Sequence, residues 1–219
     1  MKLAALLVLT APIAMQVAEK PPFEDAILKF EADDKKNPPK PGGIVFIGSS
    51  SILGWRTLAK DFPDHNVINR GFGGSVIADS VRYAQRIVTP YKPEMVVFFA
   101  GSNDISAGKS AETVFADFQA FVGKVREKLP KTRIAFISIS PAPSRAKFLE
   151  VDREANRMIR WFCNQSENMA FIDIVPLMLD AKGQHRPELY QSDRLHMNPD
   201  GYAIWRKAVL PFLPWGHKK

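Results

Sequence analysis

The stretch IVFIGSSSILGW, residues 44–55, decides how this chain is read. Ile44, Val45, Phe46 and Ile47 are apolar without alternation, and Gly48 ends the run. A short apolar run stopped by glycine is the pattern of a strand buried on both faces, as in a parallel sheet. Ser49, Ser50 and Ser51 then form a polar turn at its carboxyl end. Either that turn is only a turn, or one of its three serines is a nucleophile.

The same pattern recurs four times, at residues 67–69, 95–100, 134–139 and 170–175. Helical patterns lie between the runs. Val114, Phe115, Phe118, Phe121, Val122, Val125 and Leu129 share one face after a cap at Ser110. Phe148, Val151, Ala155, Met158, Ile159 and Phe162 form a second stripe. Both are core faces. Phe23, Ile27 and Phe30 mark an earlier helix, closed by the proline-glycine cluster at 38–43. Asn198 and Pro199 fit the cap and first residue of a final helix. Five buried-type strands alternating with helices predict an α/β fold with a parallel sheet covered on both faces.

In such a sheet the ligand site lies beyond the carboxyl ends of the strands. Three apolar runs end there in small, hydrogen-bonding residues. They are Gly48 to Ser51, then Gly71, Gly73, Gly74 and Ser75, then Gly101, Ser102, Asn103 and Asp104. The topology alone therefore brings three loops to one edge.

Nucleophilic chemistry at a serine needs a base, an acid to orient it, and donors for a developing oxyanion. Of the four histidines, His217 sits in a charged tail, His65 in a polar turn and His185 in a long loop. His196 follows Asp193 by three positions and precedes the Asn198 cap. That spacing lets carboxylate and imidazole meet within one turn, although by itself the pair reads more simply as two exposed loop residues. Other chemistries find less support. Ile52 stands where the nucleophile elbow G-x-S-x-G needs its last glycine. Val76 stands where a dinucleotide fingerprint begun at Gly71 needs its third. No histidine or cysteine cluster supplies a metal-ligand set, so neither metal nor cofactor is expected.

The four blocks GSSS (48–51), RGFGGS (70–75), GSND (101–104) and DRLH (193–196) together resemble the SGNH, or GDSL-type, family of serine esterases and lipases. The likeness spans residues 42–205, and the chain is similar to the branch that includes platelet-activating-factor acetylhydrolase-like enzymes. It implies a flavodoxin-like, three-layer αβα fold around a mostly parallel five-stranded sheet. It also implies ester hydrolysis through an acyl-enzyme. On its register Ser50 is the nucleophile, His196 the base and Asp193 its partner. Gly74, the Asn103 amide and the Ser50 N–H are the oxyanion donors, and Ser51 is left to start the following helix. Two residues depart from the family: Ser49 and Ser75 stand where acids are common.

Composition sets the remaining bounds. A chain of 219 residues with 46% hydrophobic residues suits one domain with a substantial core. The net charge of +7 is dispersed, ending in Lys218 and Lys219, and no basic-aromatic motif points to nucleic acid. Residues 1–18 read as an export signal, with Lys2 before an apolar centre too short to span a membrane. The expectation is a single hydrolase domain over 19–219, periplasmic or secreted, with no stable membrane span and an open oligomeric state. The lone cysteine, Cys163, lies in a helical pattern and reads as a small buried hydrophobe.

The expected substrate is a small-molecule or glycan ester, preferably of a short acyl group such as acetyl. Lysophospholipid or thioester hydrolysis, or a non-catalytic glycan-binding module on the same fold, are the alternatives. Pocket walls are expected from residues 105–110, 141–148 and 176–191, bringing Lys109, Arg145, Arg186 and Tyr190. Trp55, Trp161 and Trp205 are read as core or rim residues.

Overall fold

The computed structural model describes residues 20–140 and 142–214. The export signal expected over 1–18, His217 and the terminal lysines lie outside the described residues.

Five strands form one wholly parallel sheet: β1 (Ile44–Gly48), β2 (Val67–Gly71), β3 (Met95–Phe99), β4 (Arg133–Ile137) and β5 (Met169–Ile172). Their spatial order is β2-β1-β3-β4-β5, so β1 is flanked by β2 and β3. The long helices are α1 (Glu24–Lys36), α4 (Ile77–Ile87), α6 (Ala111–Arg126), α7 (Leu149–Gln165) and α9 (Pro199–Val209). The short ones are α2 (Ser50–Leu53), α3 (Leu58–Asp61), α5 (Ser102–Ser106) and α8 (Val175–Met178). Among the described residues no helix is long and apolar enough to cross a membrane.

Period-two geometry explains why β1 is apolar throughout. Val45 and Ile47 face a core shared with Phe98, Phe136 and helices α1, α4, α6 and α7. Ile44 and Phe46 face a second core with Trp55, Phe62, Phe99 and Trp205. The expected caps form as well. Ser110 Oγ accepts the Thr113 N–H, and Asn198 Oδ1 accepts those of Asp200 and Gly201. Trp55 and Trp205 are core residues, whereas Trp161 stands exposed on α7. Cys163 is buried, which pushes its thiol up to about 12.

Two apolar runs outlast their strands. Ile139 leaves the sheet still fully buried, and Asn156 of α7 replaces its strand partners. Asn156 Oδ1 accepts the Ile139 N–H at 2.8 Å, and Nδ2 donates to its carbonyl at 3.1 Å. Past β5, Ser138 Oγ accepts the Ile174 N–H at 3.0 Å and turns the chain into α8. Side chains supply the hydrogen bonds a buried backbone needs, so hydrophobicity alone overstates strand length.

Candidate active site

Gly48 pairs with both Gly71 and Phe99, which sets the carboxyl ends of β2, β1 and β3 side by side. A Cβ on Gly48 would lie 1.8 Å from the Phe99 carbonyl, so only glycine fits here. The Ser49 N–H donates to that same carbonyl at 3.2 Å, and the chain then turns into α2. Ser50 is the first residue of that helix, one position earlier than expected for its start. Its N–H therefore has no intrahelical acceptor.

Asp193 and His196 meet through a locally closed loop. Tyr190 bridges to Met197, and the Gln191 N–H donates to the His196 carbonyl at 2.7 Å. Arg194 takes a left-handed φ of 57° to make the turn. Asp193 Oδ1 accepts the N–H groups of Leu195 and His196 at 2.9 and 3.0 Å. Its Oδ2 lies 2.6 Å from His196 Nδ1. The His196 ring and these two amides hold the Asp193 carboxyl down at about 2. An ionised carboxylate only accepts, so Nδ1 carries the proton and Nε2 of the neutral ring is an acceptor. Ser50 Oγ is 3.0 Å from that Nε2 and donates to it.

The other two loops close on the same place. A Cβ on Gly73 would lie 3.8 Å from Ser50 Cβ, and Gly74 next to it takes a φ of 82°. Asn103 Nδ2 donates to the Ser75 carbonyl at 3.0 Å, joining the second and third loops. Ser75, fully buried, donates its hydroxyl to the Phe72 carbonyl at 2.9 Å. Arg145, a wall residue by its place in the sequence, also grips the third loop. It donates to the Ser102 carbonyl at 3.2 Å and to Asn103 Oδ1 at 3.4 Å. Nothing in the sequence signals that contact across 42 positions.

Beside Ser50 is a cavity of about 20 Å³, lined by Ser49, Phe99, Ser140, Tyr190, Leu195 and Met197 among others. That is room for one water-sized group. The walls differ from those expected. Ala142 and Tyr190 line the cavity, but residues 105–110 do not. Lys109 is held by Asp104 and Asp117, and Arg186 by Glu188. Opposite charges nearby satisfied those two cations away from the site. Among the described residues no group of three or more His, Cys, Asp and Glu residues could hold a metal.

A family model described as the GDSL-like lipase/acylhydrolase family matches residues 47–204. The chain belongs to the GDSL-like lipase/acylhydrolase family. The family's activity is ester hydrolysis, and the four sequence blocks fall within the match. Platelet-activating factor acetylhydrolase IB subunit alpha1 from Homo sapiens is 27% identical over 194 residues, 84% of this chain and 80% of that protein. Solved structures agree in fold. A GDSL-like lipase from Bacteroides thetaiotaomicron superposes with a TM-score of 0.71 at 18% identity, over 85% of this chain and 96% of that one. An acetyl-xylooligosaccharide esterase from Geobacillus Stearmophilus does so with 0.63 at 16% identity, over 83% and 99%.

Proposed function

We propose that this GDSL-family chain is a serine esterase that removes short acyl groups, acetyl above all, from a carbohydrate or small alcohol. The observation that carries the reading is the unbroken chain Ser50 Oγ, His196 Nε2, His196 Nδ1, Asp193 Oδ2, with links of 3.0 and 2.6 Å. A serine that donates to a neutral, carboxylate-held imidazole is what nucleophilic attack requires.

Ser50 Oγ attacks the ester carbonyl carbon while its proton passes to His196 Nε2. Asp193 stabilises the imidazolium. The oxyanion receives the Ser50 N–H, the Gly74 N–H and the second hydrogen of the Asn103 amide, whose first is given to Ser75. The carbon–oxygen bond to the alcohol then breaks, and His196 returns the proton to the departing oxygen. Water repeats the sequence on the acyl-enzyme, which releases the acid and restores Ser50. Each oxyanion donor of this kind is worth roughly 3 kcal/mol.

Two features support a short acyl group on an accessible alcohol. The cavity beside Ser50 offers only about 20 Å³. The side chains of His196 and Asp193 keep 36% and 45% of their exposure, so the site is open to a bulky alcohol portion. An acetyl-xylooligosaccharide esterase and an acetylhydrolase among the similar proteins support this choice. A cavity of about 20 Å³ is too small for the long acyl chain of a lysophospholipid. We place the enzyme outside the cytoplasm, as one domain over residues 19–219 released from the leader at 1–18, on the strength of that leader's composition.

A panel of nitrophenyl esters of rising chain length, with acetylated oligosaccharides alongside, tests the reading. Acetate esters should be cleaved fastest, and Ser50→Ala should abolish turnover. Equal turnover by Ser50→Ala would overturn it. A folded protein that hydrolyses none of them would favour the non-catalytic glycan-binding alternative.

A further inference from the structure

A second, larger groove lies next to the loop that carries His196. It encloses about 470 Å³, within the size range of small-molecule sites, and is lined by Arg56, Tyr202 and Arg206 among others. Met197, the residue after His196, borders both this groove and the small cavity at Ser50. The groove therefore lies against the small cavity across Met197, with most of the room on the groove side.

The groove's polar side chains are mostly committed elsewhere. Asp61 Oδ2 accepts from Trp55 Nε1 at 2.6 Å and from Thr57 Oγ1 at 2.7 Å. Gln191 donates its amide to the Met197 carbonyl at 2.9 Å, and Asn198 caps α9. Tyr202 gives its hydroxyl to the Ser51 carbonyl at 2.9 Å and stacks on Trp55 with centroids 5.5 Å apart. Arg56 and Arg206 differ. Both are exposed, and among the described residues neither guanidinium has a hydrogen bond or ion pair, although the Arg56 N–H donates to the Gly54 carbonyl at 2.8 Å. Arg86, Arg153, Arg157, Arg160 and Arg186 each hold a carboxylate, whereas exposed Arg133 and Arg194 are also without a side-chain partner among the described residues but do not line the groove.

We infer that this groove receives the alcohol portion of the substrate, and that this portion carries an anionic group, a carboxylate or a phosphate, held by Arg56 and Arg206. Met197, Pro199 and Tyr202 supply an apolar and aromatic wall for its ring or backbone. Guanidinium groups favour both anions through paired N–H donors. The inference rests on the esterase reading of Ser50. It narrows the substrate from any short-chain ester to one with an anionic leaving alcohol.

The test compares three acetyl esters with a common acyl group: acetylated xylobiose (neutral), acetylated digalacturonate (carboxylate) and 1-acetylglycerol 3-phosphate (phosphate). The reading is the ratio of kcat/KM for each anionic ester to that for xylobiose. In wild type at least one ratio exceeds one, and which one does identifies the source of the anion. In Arg56→Ala/Arg206→Ala the ratio falls about tenfold, chiefly through KM, and Arg56→Lys/Arg206→Lys restores part of it. Added salt compresses the wild-type preference. Calorimetric titration of Ser50→Ala with unacetylated digalacturonate and with glycerol 3-phosphate reads the groove without turnover. Ratios of one in wild type, or ratios and binding that survive the double variant, overturn the inference. Nitrophenyl acetate run alongside separates the two readings. Its hydrolysis with flat ratios leaves the esterase standing and removes only the anionic site.

Discussion

His196 lies 146 positions beyond Ser50, yet its Nε2 stands 3.0 Å from the Ser50 hydroxyl. The contact joins the turn after the first strand to the loop before the last helix. Asp193 closes on the other ring nitrogen from only three residues away. The His196 ring is thus positioned by its own loop and delivered to the Ser50 hydroxyl by the sheet.

That division of labour predicts unequal losses. His196→Ala removes the proton acceptor and should lower kcat about 10^4-fold or more, while Asp193→Asn should cost roughly 10^2-fold. The smaller figure follows from exposure, since water reaches both side chains and stands in for part of the carboxylate's effect. Steady-state kinetics on nitrophenyl acetate check both values.

The Asp193 carboxyl also leaves a mark on stability. Its folded value of about 2 lies below the ordinary 3.8, so the folded state favours the ionised form. Any stability advantage of wild type over Asp193→Asn is present above about pH 4 and is lost as pH falls through 2. Denaturant midpoints across that range report it.

Arg145 should act on catalysis through Asn103. With its donors on the Ser102 carbonyl and Asn103 Oδ1, it fixes which way the amide hydrogens point. Arg145→Ala should lower kcat about tenfold with KM little changed, and Asn103→Ala about 10^2-fold. In the Asn103→Ala background, Arg145→Ala should add little, because the group it orients is gone. Lysine, which lacks the planar fork, should rescue only part of the loss.

Tyr190 walls the cavity and lies 3.3 Å from the Ser140 hydroxyl through its own. Tyr190→Ala should enlarge the acyl space and shift preference from acetate towards butyrate and longer esters. The readout is the ratio of kcat/KM along the ester series.

Asp152 is buried, and desolvation raises its carboxyl to about 7 against the pull of Arg145. Between pH 4 and 7 the folded state keeps a proton that the unfolded state releases. Stability from this group therefore falls as pH rises through that window. Asp152→Asn should raise stability by about 2 kcal/mol at pH 8 and change it little at pH 4. Urea unfolding at the two pH values checks the sign.

Much of this was legible in the chain because the fold's determinants are local. The apolar run at 44–47, the Gly48 stop and the caps at Ser110 and Asn198 each act within a few residues. The meeting of Asp193 with His196 was legible for the same reason. The hold of Arg145 on Asn103, the small cavity behind Ser50 and the removal of Lys109 into an ion pair with Asp104 were not. Each depends on which side chains the sheet brings together across tens of residues, and spacing carries no record of that. The overlong apolar runs misled for a physical reason, because Asn156 and Ser138 take over the backbone bonds where the strands stop.

The account turns on Ser50 being the nucleophile that His196 activates. Labelling folded protein with a fluorophosphonate and mapping the adduct by mass spectrometry tests this most directly. The account predicts a single adduct on Ser50, absent in Ser50→Ala and formed far more slowly in His196→Ala. An adduct on Ser49 or Ser51 instead, or labelling of Ser50 at an undiminished rate without His196, would contradict it.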